Sequence, residues 1–493
     1  MSHPSLHSVP LFRDGAAPPD AGPPGPASPR SPRLTFSAEE VAASPAHAAA
    51  RAAAPVDWGL VVLLRRQAST EIAEQSRQHA EASGRPMPEV DRRLMGRATI
   101  RSIVRRHAEQ LSALGQELWP IEVERRYASA VEDAVFGYGR LQPLFDLPGA
   151  ENIEIHGCDS VQVQYGDGRR VPHPPVADSD EELVEAVRFL GEMASPSRPF
   201  DDAHPTMTLA LGHRFRLHAI GFGLAHRPSV TIRQHLLTDV TLPQLCDTGL
   251  MPDEVGAFLH AAVLARKSVV ICGDQGAGKT TLLRAMVSSI PSSERFGTIE
   301  TDYELLTHLL PGRQNMLALQ AKPGLGEVVD GRRLGEFTVS DLIPEALRQN
   351  LARLVIGEVR GGEAAAMFEA MQAGPGSLST THSRSAASTI DRLASRVAQG
   401  GVLDIDEAYR QIAHNVDLLV HVSLSDDSWR GGVRTRRISE IRQLTGAIEG
   451  GRPSTHLVYS ASGAGAFFQP EPDFMSELAP FLATWRARPG TPT

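Results

Sequence analysis

Residues 273–280, Gly-Asp-Gln-Gly-Ala-Gly-Lys-Thr, constrain this chain more than any other stretch. They follow an apolar run at 268–272 that reads as a buried strand, and they precede residues 281–287, whose apolar spacing suits a helix. A strand that turns through three glycines into a helix can aim successive backbone N–H groups at one centre, and the helix N-terminus adds partial positive charge there. The ligand such a cradle fits is phosphate. Gly273, Gly276, Ala277, Gly278, Lys279, Thr280 and Thr281 are therefore the candidate phosphate-binding residues, with Lys279 against the β- and γ-phosphates of ATP and Thr280 holding Mg2+.

A chain of 493 residues exceeds one ordinary hydrophobic core, so several folded units are expected. Residues 1–55 are crowded with Pro, Ala and Ser and read as a disordered tail. Residues 56–138 carry apolar side chains at helix spacing; Arg101, Arg105 and Arg106 share a face that reads as solvated and paired with Glu109. From 139 to 240, short alternating runs and a turn at 166–168 indicate an α+β domain, with a helix over 180–193 and strands near 207–211, 215–220 and 229–233. Residues 241–425 alternate apolar strands with helices, the pattern of an α/β domain with a mostly parallel sheet and ligand loops at the strand C-termini. A small β extension and a short helix are expected over 426–493, where the arginine-rich stretch 430–437 suggests no chemistry.

Cys158, Cys246 and Cys272 lack metal-site or disulfide spacing, which favours a reducing cytoplasm. No apolar run is long enough to cross a membrane, so any membrane role is expected to be peripheral, and the N-terminus lacks a secretory pattern. A net charge of -9 and only 5% aromatic residues give no reason to expect a nucleic-acid partner.

Two further positions point to the γ-phosphate. Residues 354–358, Leu-Val-Ile-Gly-Glu, place Glu358 at the end of a buried strand, where a carboxylate can activate or position water; capping of the helix that follows is the alternative. Residues 376–382 end a second small-residue strand in His382, which alone reads as an ordinary histidine.

Taken in order, 273–280, Thr298-Ile-Glu300, 354–361 and 376–382 resemble the Walker A, acidic, Walker B and histidine boxes of type II/type IV secretion ATPases. Residues 136–144, 153–157 and 227–233 resemble that family's N-terminal domain, especially the CpaF/TadA-like branch that serves tight-adherence (Flp) pili. The resemblance implies a RecA-like ATPase domain covered by the smaller α+β domain, in a cytoplasmic homo-hexamer beneath inner-membrane platform proteins. Such a motor would hydrolyse ATP with Mg2+ for pilus assembly or protein export. It also implies that Glu300 and Glu358 organise the attacking water, that His382 senses the γ-phosphate, and that Arg216, Arg227 and Arg233 reach the nucleotide from the covering domain. A conjugative transfer ATPase and a nucleotide-binding scaffold with little turnover are the rivals. The acidic box departs from the family pattern: Thr301 stands at the usual Asp position, with Asp302 one place late and Glu304 retained. Near 212–216, Arg214 and Arg216 compete for one role.

Overall fold

The computed structural model describes residues 56–485 apart from 116–118, 195–196, 323, 325–326, 330, 360, 362, 402 and 462–466. The expected disordered tail at 1–55 lies outside the described residues.

Three helices come first: α1 (Trp58–Ser83), α2 (Glu89–Ala113) and α3 (Ile121–Phe136). The Asp57 carboxylate accepts from the Leu60 N–H to start α1, and Gly84 in the left-handed conformation ends it. Their apolar stripes close on one another through Val61, Leu64, Ile72, Ile100, Ile103 and Val131. The expected arginine face is solvated and paired, with Arg105 3.2 Å from Glu109 and Arg106 2.7 Å from Glu71.

The covering domain is a six-stranded antiparallel sheet in the order β3-β2-β1-β6-β5-β4. Its strands are β1 (Ala150–His156), β2 (Ser160–Tyr165), β3 (Arg170–His173), β4 (Thr206–Leu211), β5 (Phe215–Ile220) and β6 (Ser229–Gln234), with α4 (Asp180–Met193) after β3. Alternation sorts the side chains: Phe215, Leu217 and Ala219 of β5 are buried, whereas Arg216 and His218 project the other way. Leu183, Val187 and Leu190 of α4 join the apolar face with Ile153, Ile155, Leu217 and Ile232. Arg216 and Arg233 are consequently cross-strand neighbours on the opposite face. Like charges placed directly opposite are destabilising, so this pair requires acidic partners.

The third unit has a nine-stranded sheet in the order β17-β16-β15-β14-β7-β13-β12-β8-β9. Its strands are β7 (Val269–Gly273), β8 (Phe296–Glu300), β9 (Met316–Gln320), β12 (Arg353–Val359), β13 (Leu378–His382), β14 (Leu418–Asp426), β15 (Arg434–Glu449), β16 (Arg452–Ser460) and β17 (Phe467–Phe468); β10 (Val328–Val329) and β11 (Arg332–Arg333) form a separate ribbon. From β14 to β9 all pairings are parallel. Helices α5 (Asp253–Leu264), α6 (Lys279–Ser288) and α11 (Pro472–Leu482) cover one face with Val269, Ile271, Val420 and Val422. Helices α7 (Val339–Leu347), α8 (Glu363–Ala373), α9 (Ala386–Gln399) and α10 (Ile405–Asn415) cover the other with Val270, Cys272 and Ile356. This is the expected α/β architecture, a RecA-like phosphate-loop domain preceded by a smaller α+β domain and a helical segment.

One expectation changes in form. The stretch 426–493 is continuous with the main sheet, because β15 pairs along β14 from Leu418 to Asp426 and the 425/426 boundary falls inside that hairpin. Six strands of the parallel core thus share a sheet with arginine-rich β15, and the parallel arrangement brings Gly273, Glu300, Glu358 and His382 to one edge.

Candidate nucleotide site

The loop after β7 takes its shape from its glycines. Gly276 and Gly278 have φ of 75° and 98°, left-handed values that favour glycine. At Gly273 a Cβ would collide with the carbonyl oxygen of Val422 on β14. Lys279 opens α6 and is only 7% exposed. Its Nζ donates to the carbonyls of Gly273 (3.1 Å) and Asp274 (2.9 Å) and reaches His382 Nδ1 at 3.2 Å. Burial lowers its pKa to about 8, which leaves it mostly protonated at pH 7. Lys279 donating to Nδ1 makes that nitrogen the acceptor and leaves the ring proton on Nε2, which lies 2.9 Å from Glu358 Oε1. Lysine, histidine and glutamate therefore stand in line, the histidine and glutamate as a close pair without hydrogen-bond geometry. Just before the helix that follows, Glu363 Oε1 accepts from the Gly361 N–H.

Glu300, at the end of β8, is 3% exposed. Its Oε1 accepts from the N–H groups of Glu304 (2.9 Å) and Leu305 (2.8 Å), while Oε2 is buried without a hydrogen-bond partner among the described residues. Burial pushes its pKa up to about 7, against the pull of those two N–H groups. Gly357 makes room beside it: a Cβ there would come within 3.0 Å of Glu300 Cγ. Thr280, Glu300, Glu304, Glu358 and Arg216 line one cleft.

Arg216 arrives from β5 of the covering domain and divides its guanidinium between Asp302 and Glu304, each at 2.8 Å. Those carboxylates answer the charge that two opposed arginines accumulate, and they give the displaced Asp302 of the acidic box a partner. Glu304 lies below the usual carboxylate range because Arg233, His235 and Arg216 overcome the upward push of burial. Arg233 lines an adjoining cleft with Thr280, Thr281, Arg284 and Glu151. Arg214 instead sits against the Phe215 ring, so Arg216 is the arginine that meets the acidic box.

Arg227 is not brought to the loop. It pairs with Asp180 (2.7 Å) and Asp159 (2.8 Å) near the start of β6, holding the Asp180 carboxyl well below its ordinary range. Six residues of extended chain, roughly 20 Å, separate it from Arg233. Its position clasps the N-terminus of α4 to the sheet.

Four residues of the site escaped the sequence. Arg284 of α6 is buried and donates to the Leu305 carbonyl (3.1 Å) and to those of Leu237 and Glu304, fastening the acidic box to the helix that begins at Lys279. An arginine within the otherwise apolar stretch Leu282–Val287 was a readable signal. Glu151, Arg434 and Arg436 meet behind the loop, and nothing local marks them.

The family described as Type II/IV secretion system protein matches residues 181–425. A relative from Mycobacterium tuberculosis, "Putative conjugal transfer protein", is 31% identical over 326 residues, covering 64% of this chain and 87% of its own. Protein VirB11 of Agrobacterium fabrum is 33% identical over 183 residues, 36% of this chain and 50% of that protein. Among solved structures, the VirB11 ATPase of the Brucella suis type IV secretion system aligns at 24% identity and a TM-score of 0.32, covering 62% of this chain and 96% of that one.

Proposed function

Because this chain belongs to the type II/IV secretion system protein family, we propose that it is an ATPase motor whose nucleotide sits between the covering domain (139–240) and the phosphate-loop domain (from 241). The observation that carries this reading is the Lys279–His382–Glu358 line, in a cleft that Arg216 enters from the other domain.

In the proposed reaction Lys279 leaves the carbonyls of Gly273 and Asp274 for the β- and γ-phosphates, and the inward N–H groups of Gly276 to Thr281 hold the β-phosphate. Glu358 takes the proton of the attacking water or positions it. His382, between Lys279 and Glu358, registers whether a γ-phosphate is present. Arg216 and Arg233 supply charge to the phosphates as the covering domain closes, a task suited to the planar guanidinium. The Thr280 hydroxyl and the free Oε2 of Glu300 fit a hydrated Mg2+, which when bound neutralises phosphate charge.

The motor acts as a homo-hexamer, since closure of one domain on the other does mechanical work only against a neighbour. It works in the cytoplasm beneath inner-membrane platform proteins, in Flp-type pilus assembly or protein export. No helix among the described residues is long and apolar enough to cross a membrane. The name of the mycobacterial relative favours a second reading, conjugative transfer; loss of surface pilin against loss of transfer frequency in a deletion strain separates the two. Mg2+-dependent phosphate release, measured alongside oligomeric mass, tests the enzyme reading: turnover by the assembled wild type that is absent in Lys279→Ala is expected, and equal turnover by both contradicts it.

A further inference from the structure

The arginine-rich start of β15 belongs to none of the motif boxes and lies beyond the matched span 181–425, yet it ends against the back of the phosphate loop. Arg436 is fully buried. Its Nε donates to the Gly276 carbonyl at 2.8 Å, its Nη1 to the Gly166 carbonyl at 3.2 Å, and its Nη2 to both oxygens of Glu151 at 2.9 and 3.1 Å. One planar fork thus joins the phosphate loop, the β2–β3 turn and β1. Arg434, two residues earlier on the same strand face, adds a 3.3 Å contact to Glu151, and its backbone N–H donates to the Asp167 carbonyl at 3.1 Å. A Cβ on Gly276 would come within 3.0 Å of Arg434 Nη2, so the loop glycine also admits these arginines.

A consequence follows from peptide geometry. In a trans peptide the C=O and the next N–H point in opposite directions across the plane. Arg436 holds the Gly276 carbonyl outward, which turns the Ala277 N–H inward; it donates to the Asp274 carbonyl inside the loop at 3.3 Å. That inward N–H is one of the donors a β-phosphate needs. We propose that Arg436 and Glu151 form a positioning pair: Arg436 sets the Gly276–Ala277 peptide for phosphate, and Glu151 of the covering domain holds Arg436 in place. Both act through the loop, and the role assigned to them requires no contact with nucleotide. The pair couples the angle between domains to the aim of the loop, because Arg436 cannot keep all three partners if β1 moves away. This inference rests on the nucleotide reading above.

The test is ADP affinity of the full-length chain, read by fluorescence of a methylanthraniloyl-ADP probe beside thermal unfolding and ATP turnover. Arg436→Gln is expected to weaken the probe by roughly tenfold, the value of about one lost charge-assisted donor alignment, with a smaller loss in kcat at saturating ATP. Arg436→Lys, which keeps the charge and loses the fork, is expected to fall near Arg436→Gln rather than near wild type. A lowered unfolding temperature with probe affinity within twofold of wild type reduces the pair to a brace and overturns the proposal. Should Arg436→Gln not fold, Glu151→Gln decides: it keeps the shape but loses the charge and one of the two oxygens that hold Arg436, so weaker probe binding in a folded protein supports the proposal and wild-type binding overturns it. Lys279→Ala separates the two layers: if it too binds the probe like wild type, the nucleotide reading fails, and if only Lys279→Ala loses affinity, the positioning pair alone fails.

Discussion

On its front the phosphate loop meets Lys279, His382, Glu358 and Glu300, all from strand and helix ends of its own domain. On its back it meets Arg436 and, through it, Glu151, two residues 285 positions apart in the chain. The front is held away from comfortable protonation: Lys279 is lowered to about 8, Glu300 is raised to about 7, and one Glu300 oxygen has no partner among the described residues. The back is saturated, with Arg436 donating to three segments and Glu151 accepting from two arginines. A site that awaits a highly charged ligand stores its cost where the ligand will bind and its rigidity behind. Front substitutions should therefore change chemistry with little loss of stability, whereas back substitutions should cost both stability and nucleotide affinity.

The largest expected effect is on the front. Lys279→Ala should lower phosphate release at least about 100-fold, the scale of one lost transition-state contact, while its denaturant midpoint stays at or above that of wild type because a buried ammonium has been removed. A clear loss of stability without loss of turnover would invert the comparison.

Next in size is the back. Glu151→Ala strands the buried Arg436 guanidinium and should cost about 3–5 kcal/mol of unfolding free energy in urea titration. The double variant Glu151→Leu with Arg436→Met should recover most of that loss, since apolar pairs replace buried ion pairs at small cost. No loss in the single variant would remove the back from the account.

Glu300 sharpens the contrast through pH. Its folded pKa lies above the ordinary value of 4.5, so between about 4.5 and 7 the folded state binds more protons than the unfolded one. Its contribution is favourable at low pH and is lost as pH rises through 7, a swing of about 3 kcal/mol at most. In nucleotide-free protein, Glu300→Gln should flatten the fall in stability between pH 4.5 and 7; an unchanged slope would show that Glu300 is ionised there like an exposed carboxylate.

The smallest contrast separates two arginines of the covering domain. Arg216→Ala should reduce kcat roughly tenfold by removing a phosphate-facing charge, whereas Arg227→Ala should leave kcat unchanged, lower the domain's stability at neutral pH and make its fall on acidification shallower. The sign follows from Asp180, whose carboxyl Arg227 holds down: that stability is present above the ordinary Asp pKa and lost as pH falls through the lowered one. Equal kinetic effects would place both arginines at the nucleotide.

Much of this was legible in the sequence because it is local. The helix at 180–193, the strands at 207–211 and 215–220 and the five apolar strands of the α/β domain follow from period and turn residues. The loop and Glu358 follow from strand-end position, whereas Glu300 and His382 stand out only through the resemblance to the ordered boxes. The arginines show where local reading stops. Arg227 and Arg233 lie in one motif, and only the sheet reveals that six extended residues carry them to opposite ends of β6. Arg434 and Arg436 look like solvated charge because burial of an arginine depends on a carboxylate that the topology, not the neighbouring sequence, supplies. For the same reason β15 reads as an appendage although it extends the central sheet.

Single-turnover phosphate release by Glu358→Gln, with nucleotide affinity measured in parallel, is the most direct test that this cleft hydrolyses ATP. Wild-type affinity with release slowed about 100-fold or more is expected, because a glutamine keeps the shape and cannot accept the proton. Release at the wild-type rate would contradict it.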